Sequence, residues 1–236
     1  MKMGRARRKL EERVSTGVKG LDKLIEGGFP RGSLILLAGS PGSGKTITSA
    51  QFLYHGASEL GENGVYVSFG ERKGVFFKNM ERFGFNFKQL ESKGKFKFLD
   101  MMTPKKESLL DTLDIALKEV HSMKTQRLVI DSFSAMSLAF EKKVEGRIIL
   151  HLLEKIMREI GCTTLLVVEV PTGKPGLGLG FEEFVADGII LFETIEVRSG
   201  IRKRAIIHKM RGTDHKQNYS NIVISEKGLS LRPYVT

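Results

Sequence analysis

One octapeptide constrains this chain more than any other feature. Gly39-Ser40-Pro41-Gly42-Ser43-Gly44-Lys45-Thr46 is a complete G-x-x-x-x-G-K-[ST] loop. It follows the apolar, strand-like run Ser33-Leu34-Ile35-Leu36-Leu37-Ala38 and precedes a helix-like stretch from Ile47 to Leu60. Strand, glycine-rich turn and helix in that order is the context in which the motif holds phosphate. The glycines let backbone N–H groups of Ser40, Gly42, Ser43 and Gly44 wrap an anion, with Pro41 contributing to the turn but no N–H. The helix N-terminus behind them adds partial positive charge. Lys45 then reaches the β- and γ-phosphates, and the Thr46 hydroxyl ligates Mg²⁺. The ligand implied is a nucleoside triphosphate.

The chain has 236 residues, 41% of them hydrophobic, enough for one domain with a sizeable core. Residues 1–13 read as a basic, poorly ordered arm and 14–236 as the domain. Apolar runs are strand-sized and interrupted by charge, so neither a transmembrane helix nor a membrane partner is expected. The arm has no apolar secretory segment. Cys162 is the single cysteine, which excludes an internal disulfide framework and a cysteine-based metal site; beside an apolar run it reads as a small buried hydrophobe. These features together imply a soluble, cytoplasmic protein. The net charge is +11. The excess collects in the arm (Lys2, Arg5, Arg7, Arg8, Lys9, Arg13) and late in the chain (Arg198, Arg202, Lys203, Arg204, Lys209, Arg211, Lys216). It suits an anionic partner such as DNA and equally suits plain solubility.

Along the chain, Val18–Ile25 has the spacing of a short amphipathic helix closed by Gly27-Gly28. Strands are predicted at Val65–Phe69, Phe96–Leu99, Arg127–Ile130 and Thr163–Val168, with helices over about Lys73–Phe83, Ser108–Met123 and Gly146–Ile160. From Asp187 the pattern changes to short strands joined by turns, Asp187–Phe192, Arg204–Met210, Asn221–Ser225 and Leu229–Leu231, without room for crossover helices. The fold class is α/β: a mostly parallel, helix-flanked sheet finished by an antiparallel C-terminal meander.

Asp131 closes the strand Leu128-Val129-Ile130. An apolar strand ending in aspartate suits the second half of a phosphate-loop site, where the carboxylate holds the water shell of Mg²⁺; strand-ending aspartates also serve simply as turn residues. Glu71 follows the strand Val65–Phe69, which a doubly wound order could place beside the phosphate-loop strand. There it could orient and deprotonate an attacking water, or it could serve only as an acid at a helix N-terminus. Lys209 and Arg211 share one strand face. They fit charge stabilisation of a transferring phosphoryl group, often from a neighbouring subunit, or a solvated cationic edge. Pro171–Gly180 is too glycine-rich for a regular element and could line a channel or sense the nucleotide. The histidines have no partners at metal-ligand spacing.

From about Val14 to Pro233 the chain resembles the RecA superfamily, specifically a single KaiC-like ATPase domain of the archaeal type. The resemblance rests on Ser15-Thr16-Gly17-Val18-Lys19-Gly20-Leu21-Asp22, the phosphate loop and Arg127-Leu128-Val129-Ile130-Asp131-Ser132. Two late segments complete it, Phe181-Glu182-Glu183-Phe184-Val185-Ala186-Asp187-Gly188 and Lys209-Met210-Arg211-Gly212-Thr213-Asp214-His215. It implies a RecA-like core, Mg²⁺ and ATP as cofactors, ATP hydrolysis to ADP and phosphate, and self-association into a hexamer or filament with ATP at subunit interfaces. It further implies that Lys209 and Arg211 reach a neighbour's ATP, that His215 approaches the same nucleotide, and that Glu169 senses the γ-phosphate. One departure stands out. The family carries a Glu-Glu pair after its second strand, the first member taken as catalytic base; here the pair reads Gly70-Glu71. Three functions follow: a ring- or filament-forming ATPase, a DNA-acting recombination mediator, and a slowly or non-hydrolysing switch that scaffolds protein partners.

Overall fold

The computed structural model describes residues 12–101, 109–140, 142–170, 180, 182–198 and 200–234. The first eleven residues of the basic arm, the glycine-rich stretch 171–179 and Phe181 lie outside the described residues. The chain opens with β1 (Arg13–Val14), a 3-10 turn at Asp22–Leu24, and β2 (Phe29–Pro30), which pairs with β1. The core follows as β3 (Leu34–Gly39), α1 (Lys45–Glu59), β4 (Gly64–Ser68), α2 (Lys73–Glu81), α3 (Phe87–Ser92), β5 (Phe96–Asp100), α4 (Leu109–Ser122), β6 (Arg127–Asp131), α5 (Phe133–Ser137), α6 (Lys143–Glu159) and β7 (Thr163–Glu169). The short helix α7 (Glu182–Val185) leads to β8 (Gly188–Val197), β9 (Gly200–Met210), β10 (Ser220–Ser225) and β11 (Gly228–Pro233).

The main sheet has nine strands in the order β11-β10-β9-β8-β3-β7-β6-β4-β5. From β8 to β5 neighbours run parallel; β8 through β11 pair antiparallel. This is the expected parallel core with an antiparallel meander. Parallel strands covered on both faces must be apolar throughout, and β3 and β4 are buried at every position. Side chains alternate between two cores. Ile35, Leu37 and Tyr66 join α1, α2 and α3 on one face; Leu34, Leu36, Val65 and Val67 join α4, α5 and α6 on the other. Cys162 is fully buried, and burial pushes its thiol up to about 12.

Three expectations are corrected. β4 does not lie beside the phosphate-loop strand, because β7 and β8 occupy both flanks of β3 and β6 separates β7 from β4. Val18–Ile25 is not an amphipathic helix. Gly20 takes a left-handed φ of 93° and any Cβ there would strike the Leu231 carbonyl, so the segment turns while still burying Val18, Leu21 and Ile25. Arg13 is not part of a loose arm. It lies in β1, donating to Thr213 Oγ1 (2.6 Å) and the Gly212 carbonyl (3.2 Å). The short helices α3 and α5 carry no clear periodicity; Asn86 and Ser132 cap them by accepting from the N–H groups of Gln89 and Ala135.

Arg127, at the start of β6, is 1% exposed. Its Nε donates to Glu62 (2.5 Å) and its Nη1 to the Ser15 and Phe52 carbonyls, while the guanidinium lies over the Phe52 ring. Gly56 of α1 leaves the room it needs, since a Cβ there would land on the Arg127 side chain. Glycine-to-alanine changes inside helices normally stabilise by up to about 1 kcal/mol. Gly56→Ala is expected to destabilise instead, by about 1–3 kcal/mol through overpacking. Urea denaturation checks the sign: a raised midpoint would show that Arg127 yields without cost.

Candidate functional site

The phosphate-loop geometry is set at both ends. β3 delivers Gly39, and α1 starts at Lys45 behind Gly44, whose φ of 109° only glycine adopts easily. Ser43 N–H donates to the Ser40 carbonyl (3.3 Å) and closes the turn. The first amides of α1 have no intrahelical partner. Lys45 is 8% exposed and folds back over the loop, its Nζ donating to the Gly39 (2.8 Å) and Ser40 (2.9 Å) carbonyls. Burial lowers its pKa, and the carboxylates of Asp131 and Glu169 oppose that shift. Ser43 Oγ is buried without a hydrogen-bond partner among the described residues. Lys203 of β9 reaches across to the Gly42 carbonyl (2.6 Å).

Opposite the loop stands a carboxylate group. Thr46 Oγ1 donates to Asp131 Oδ2 (3.0 Å), and the Tyr66 hydroxyl donates to the same oxygen (2.5 Å). Burial raises the Asp131 carboxyl pKa; the hydrogen bonds from Tyr66 and Thr46 and the charge of Lys45 hold it down. Glu71 sits in a tight turn in which Ser68 Oγ bonds its carbonyl and its N–H. Its Oε1 accepts from Asn79 Nδ2 (2.9 Å). Burial raises the Glu71 pKa, with Asp131 adding to it and Asn79 opposing. Glu169, exposed at the end of β7, accepts from Ser132 Oγ (3.5 Å), and its N–H donates to Ser134 Oγ (2.9 Å).

Thr46, Gly70, Glu71, Asp131 and Glu169 line one open cavity of about 930 Å³. Its far wall is the β10–β11 hairpin, at Ile224, Ser225 and Glu226. The donor set fits a polyphosphate with a hard divalent cation: lysine, helix N-terminal amides and an orphaned serine hydroxyl on one side, hydroxyl and carboxylate oxygens on the other. Asp131 and Glu71 thus meet in space although β4 and β3 are not neighbours; β4 pairs β6, placing Ser68 opposite Asp131.

Lys209, Arg211 and His215 lie elsewhere. Lys209 is level with Ile189 on β8, itself level with Leu36 on β3; Met210 is level with Gly188 and Ile35. Arg211 follows beyond, so about five residues of strand, roughly 17 Å, separate it from Gly39. There the two cations grip the end of α7. Lys209 Nζ donates to the Glu183 (2.9 Å) and Ala186 (2.7 Å) carbonyls. Arg211 donates to the Phe184 carbonyl (3.0 Å) and Asp187 Oδ1 (3.4 Å). Asp187 also accepts from Arg158 (2.8 Å) and from the Leu34 N–H (3.0 Å). His215 Nδ1 lies 3.4 Å from the Thr213 carbonyl, within its own loop. Tyr66 and Asn79 were not singled out by sequence reasoning, and Lys203 and Asp187 entered it without a role, as members of the late basic cluster and of the 181–188 segment. A hydroxyl inside an otherwise apolar strand was the one available signal for Tyr66.

The family model described as "ATPase: KaiC" matches residues 14–234. A UPF0273 protein of Thermotoga maritima is 33% identical over 236 residues, 94% of this chain and 96% of that protein. The circadian clock protein KaiC3 of Synechocystis is 33% identical over 232 residues, 94% of this chain but 46% of its own length. Among solved structures, a KaiC-like protein of Pyrococcus horikoshii superposes with a TM-score of 0.85 at 37% identity, covering 94% of this chain and 99% of its own.

Proposed function

This chain belongs to the KaiC family of ATPases, and from that premise we propose that it binds Mg²⁺ and ATP in the cavity between its phosphate loop and Asp131 and hydrolyses the nucleotide slowly. The observation that carries the reading is the convergence of Thr46, Asp131, Glu71 and Glu169, drawn from four separate strand ends, on one opening, with Lys45 near enough to feel the charges of Asp131 and Glu169. Lys45 leaves the Gly39 and Ser40 carbonyls to neutralise the β- and γ-phosphates. Thr46 ligates the cation and Asp131 holds its water shell. Bound Mg²⁺ supplies charge neutralisation of the phosphates. Glu71, oriented by Asn79, takes the proton of the attacking water, and Glu169 stands where the γ-phosphate ends.

Lys209 and Arg211 complete the site from a neighbouring copy. Supporting this is their place toward the opposite end of the sheet from their own phosphate loop. A head-to-tail ring, such as a hexamer, or a filament brings them to the next subunit's nucleotide. Native mass spectrometry with and without ATP, beside steady-state phosphate release, tests the reading; turnover by a strictly monomeric chain would sink the shared-site part. We further propose a polyanion such as DNA as effector. A groove of about 1010 Å³ beside the start of β10 is lined by Lys19, Lys23, Lys216, Arg232, Tyr219 and Tyr234, and the Arg204 guanidinium lies 3.8 Å over Tyr219. Salt-dependent anisotropy with single-stranded DNA checks it, and no binding at low salt would refute it.

Gly70 favours a second reading, an ATP-dependent switch that scaffolds protein partners. It lines the cavity, no atom of the described residues beyond its chain neighbours lies within 4 Å of where its Cβ would be, and its φ is outside the left-handed region. Backbone and space therefore accept a glutamate. Gly70→Glu is expected to raise phosphate release about 100-fold, the lower end of what a positioned base contributes. Unchanged turnover would leave Glu71 as the sufficient base.

A further inference from the structure

β4 is buried at every position, and Tyr66 points from it into the aromatic cluster shared with α2 and β5. Its ring stacks on Phe98 (centroids 5.3 Å apart, planes at 8°) and meets Phe76 at 4.5 Å. A phenylalanine would fill this space equally well. A buried phenol left without a partner costs free energy, so the hydroxyl requires a reason, and its partner is Asp131 Oδ2 at 2.5 Å. Thr46 Oγ1 donates to that same oxygen; neither donor uses Oδ1.

We infer that Tyr66 is a positioning residue for the divalent-cation site: its hydroxyl holds the Asp131 carboxylate in the orientation that serves the metal's water shell. Thr46 alone is a weaker anchor, because its oxygen must also offer a lone pair to the cation, and its position is then set by the metal as well as by Asp131. Tyr66 touches neither cation nor phosphate and keeps its hold when Thr46 is drawn toward the metal. The ring has little freedom, with Phe98 on one side and Phe76 on another. Phe76 belongs to α2, which also supplies Asn79 to Glu71. One helix therefore braces both carboxylates, the metal-side one through Tyr66 and the water-side one directly. The inference rests on the proposed Mg²⁺–ATP reading of this cavity.

Tyr66→Phe in the full chain removes one oxygen and keeps the packing. Fluorescent ATP binding in EDTA is expected to match wild type, which also shows that the variant is folded. The Mn²⁺ concentration needed for half-maximal metal-bound signal, read by electron paramagnetic resonance in the presence of nucleotide, is expected to rise about 10- to 100-fold, the usual loss when the support of a metal site is cut. Adding Tyr66→Phe to Asp131→Asn should cost nothing further, since the hydroxyl acts through that carboxylate. A wild-type Mn²⁺ midpoint in Tyr66→Phe, or additive losses in the double variant, would overturn the inference while leaving the site reading intact. If wild type binds no Mn²⁺ with nucleotide and Asp131→Asn changes nothing, the site reading itself falls, and this inference with it.

Discussion

Lys45→Ala is expected to abolish ATP binding at any practical nucleotide concentration. The ammonium is buried within its own loop and held by the Gly39 and Ser40 carbonyls, close enough that a short swing of the side chain carries it to an arriving phosphate. Asp131 and Glu169 both act electrostatically on it. Without it, a polyanion would meet two carboxylates and only the partial charge of a helix N-terminus. Truncating one side of a buried charge pair costs about 2–5 kcal/mol, or roughly 30- to 5,000-fold in affinity. The cleanest measurement is thermal: a ligand that binds only the folded state raises its melting temperature. Wild type should shift upward with ATP and Lys45→Ala should not. Equal shifts in the two proteins would remove Lys45 from the binding site.

Arg211→Ala should leave that thermal shift intact and reduce phosphate release about 1,000-fold, the lower end of what an arginine supplied to a transferring phosphoryl group provides. The split is expected because Arg211 lies at the far end of the sheet from its own phosphate loop and holds α7 through the Phe184 carbonyl and Asp187. A mixing experiment separates a shared site from a local one. Arg211→Ala subunits keep an intact phosphate loop, and Lys45→Ala subunits keep an intact arginine. Neither works alone, but a mixed assembly contains interfaces that pair the intact halves, so partial turnover should return. If mixing restores nothing although native mass spectrometry shows mixed assemblies, Arg211 does not act across the interface.

The legible parts of this protein are those whose causes are local. Gly39–Thr46 carries its chemistry within eight consecutive residues. The change from parallel core to antiparallel meander was readable because chain length between strands decides it: helices fit between β3 and β7, only turns between β9 and β11. Where local signals were weak, reading failed. The apolar spacing of Val18–Ile25 suggested a helix, yet a segment this short gains little from helix formation, and Gly20 bends it against Leu231. The six-residue α3 rests on Asn86 as its cap rather than on a repeating apolar face.

Glu71 and Asp131 show the same division inside the site. Asp131 closed a plausible strand and Glu71 followed one, but the sequence contains no instruction that β4 pairs β6 and leaves β3 to β7 and β8. Strand order depends on which faces bury best once all helices are packed, a property of the whole sheet. The partners of these groups are equally remote. Tyr66 meets Asp131 across 65 residues of chain, and Lys203 reaches Gly42 across 161. By itself, then, the sequence determined the phosphate loop, the α/β class and the residue types available for chemistry, since each depends on neighbours along the chain. Only the tertiary structure decided that Glu71, Asp131 and Glu169 share one cavity, that Tyr66 holds Asp131, and that Lys209 and Arg211 stand at the far end. Those arrangements depend on contacts between segments that meet only after the sheet has closed.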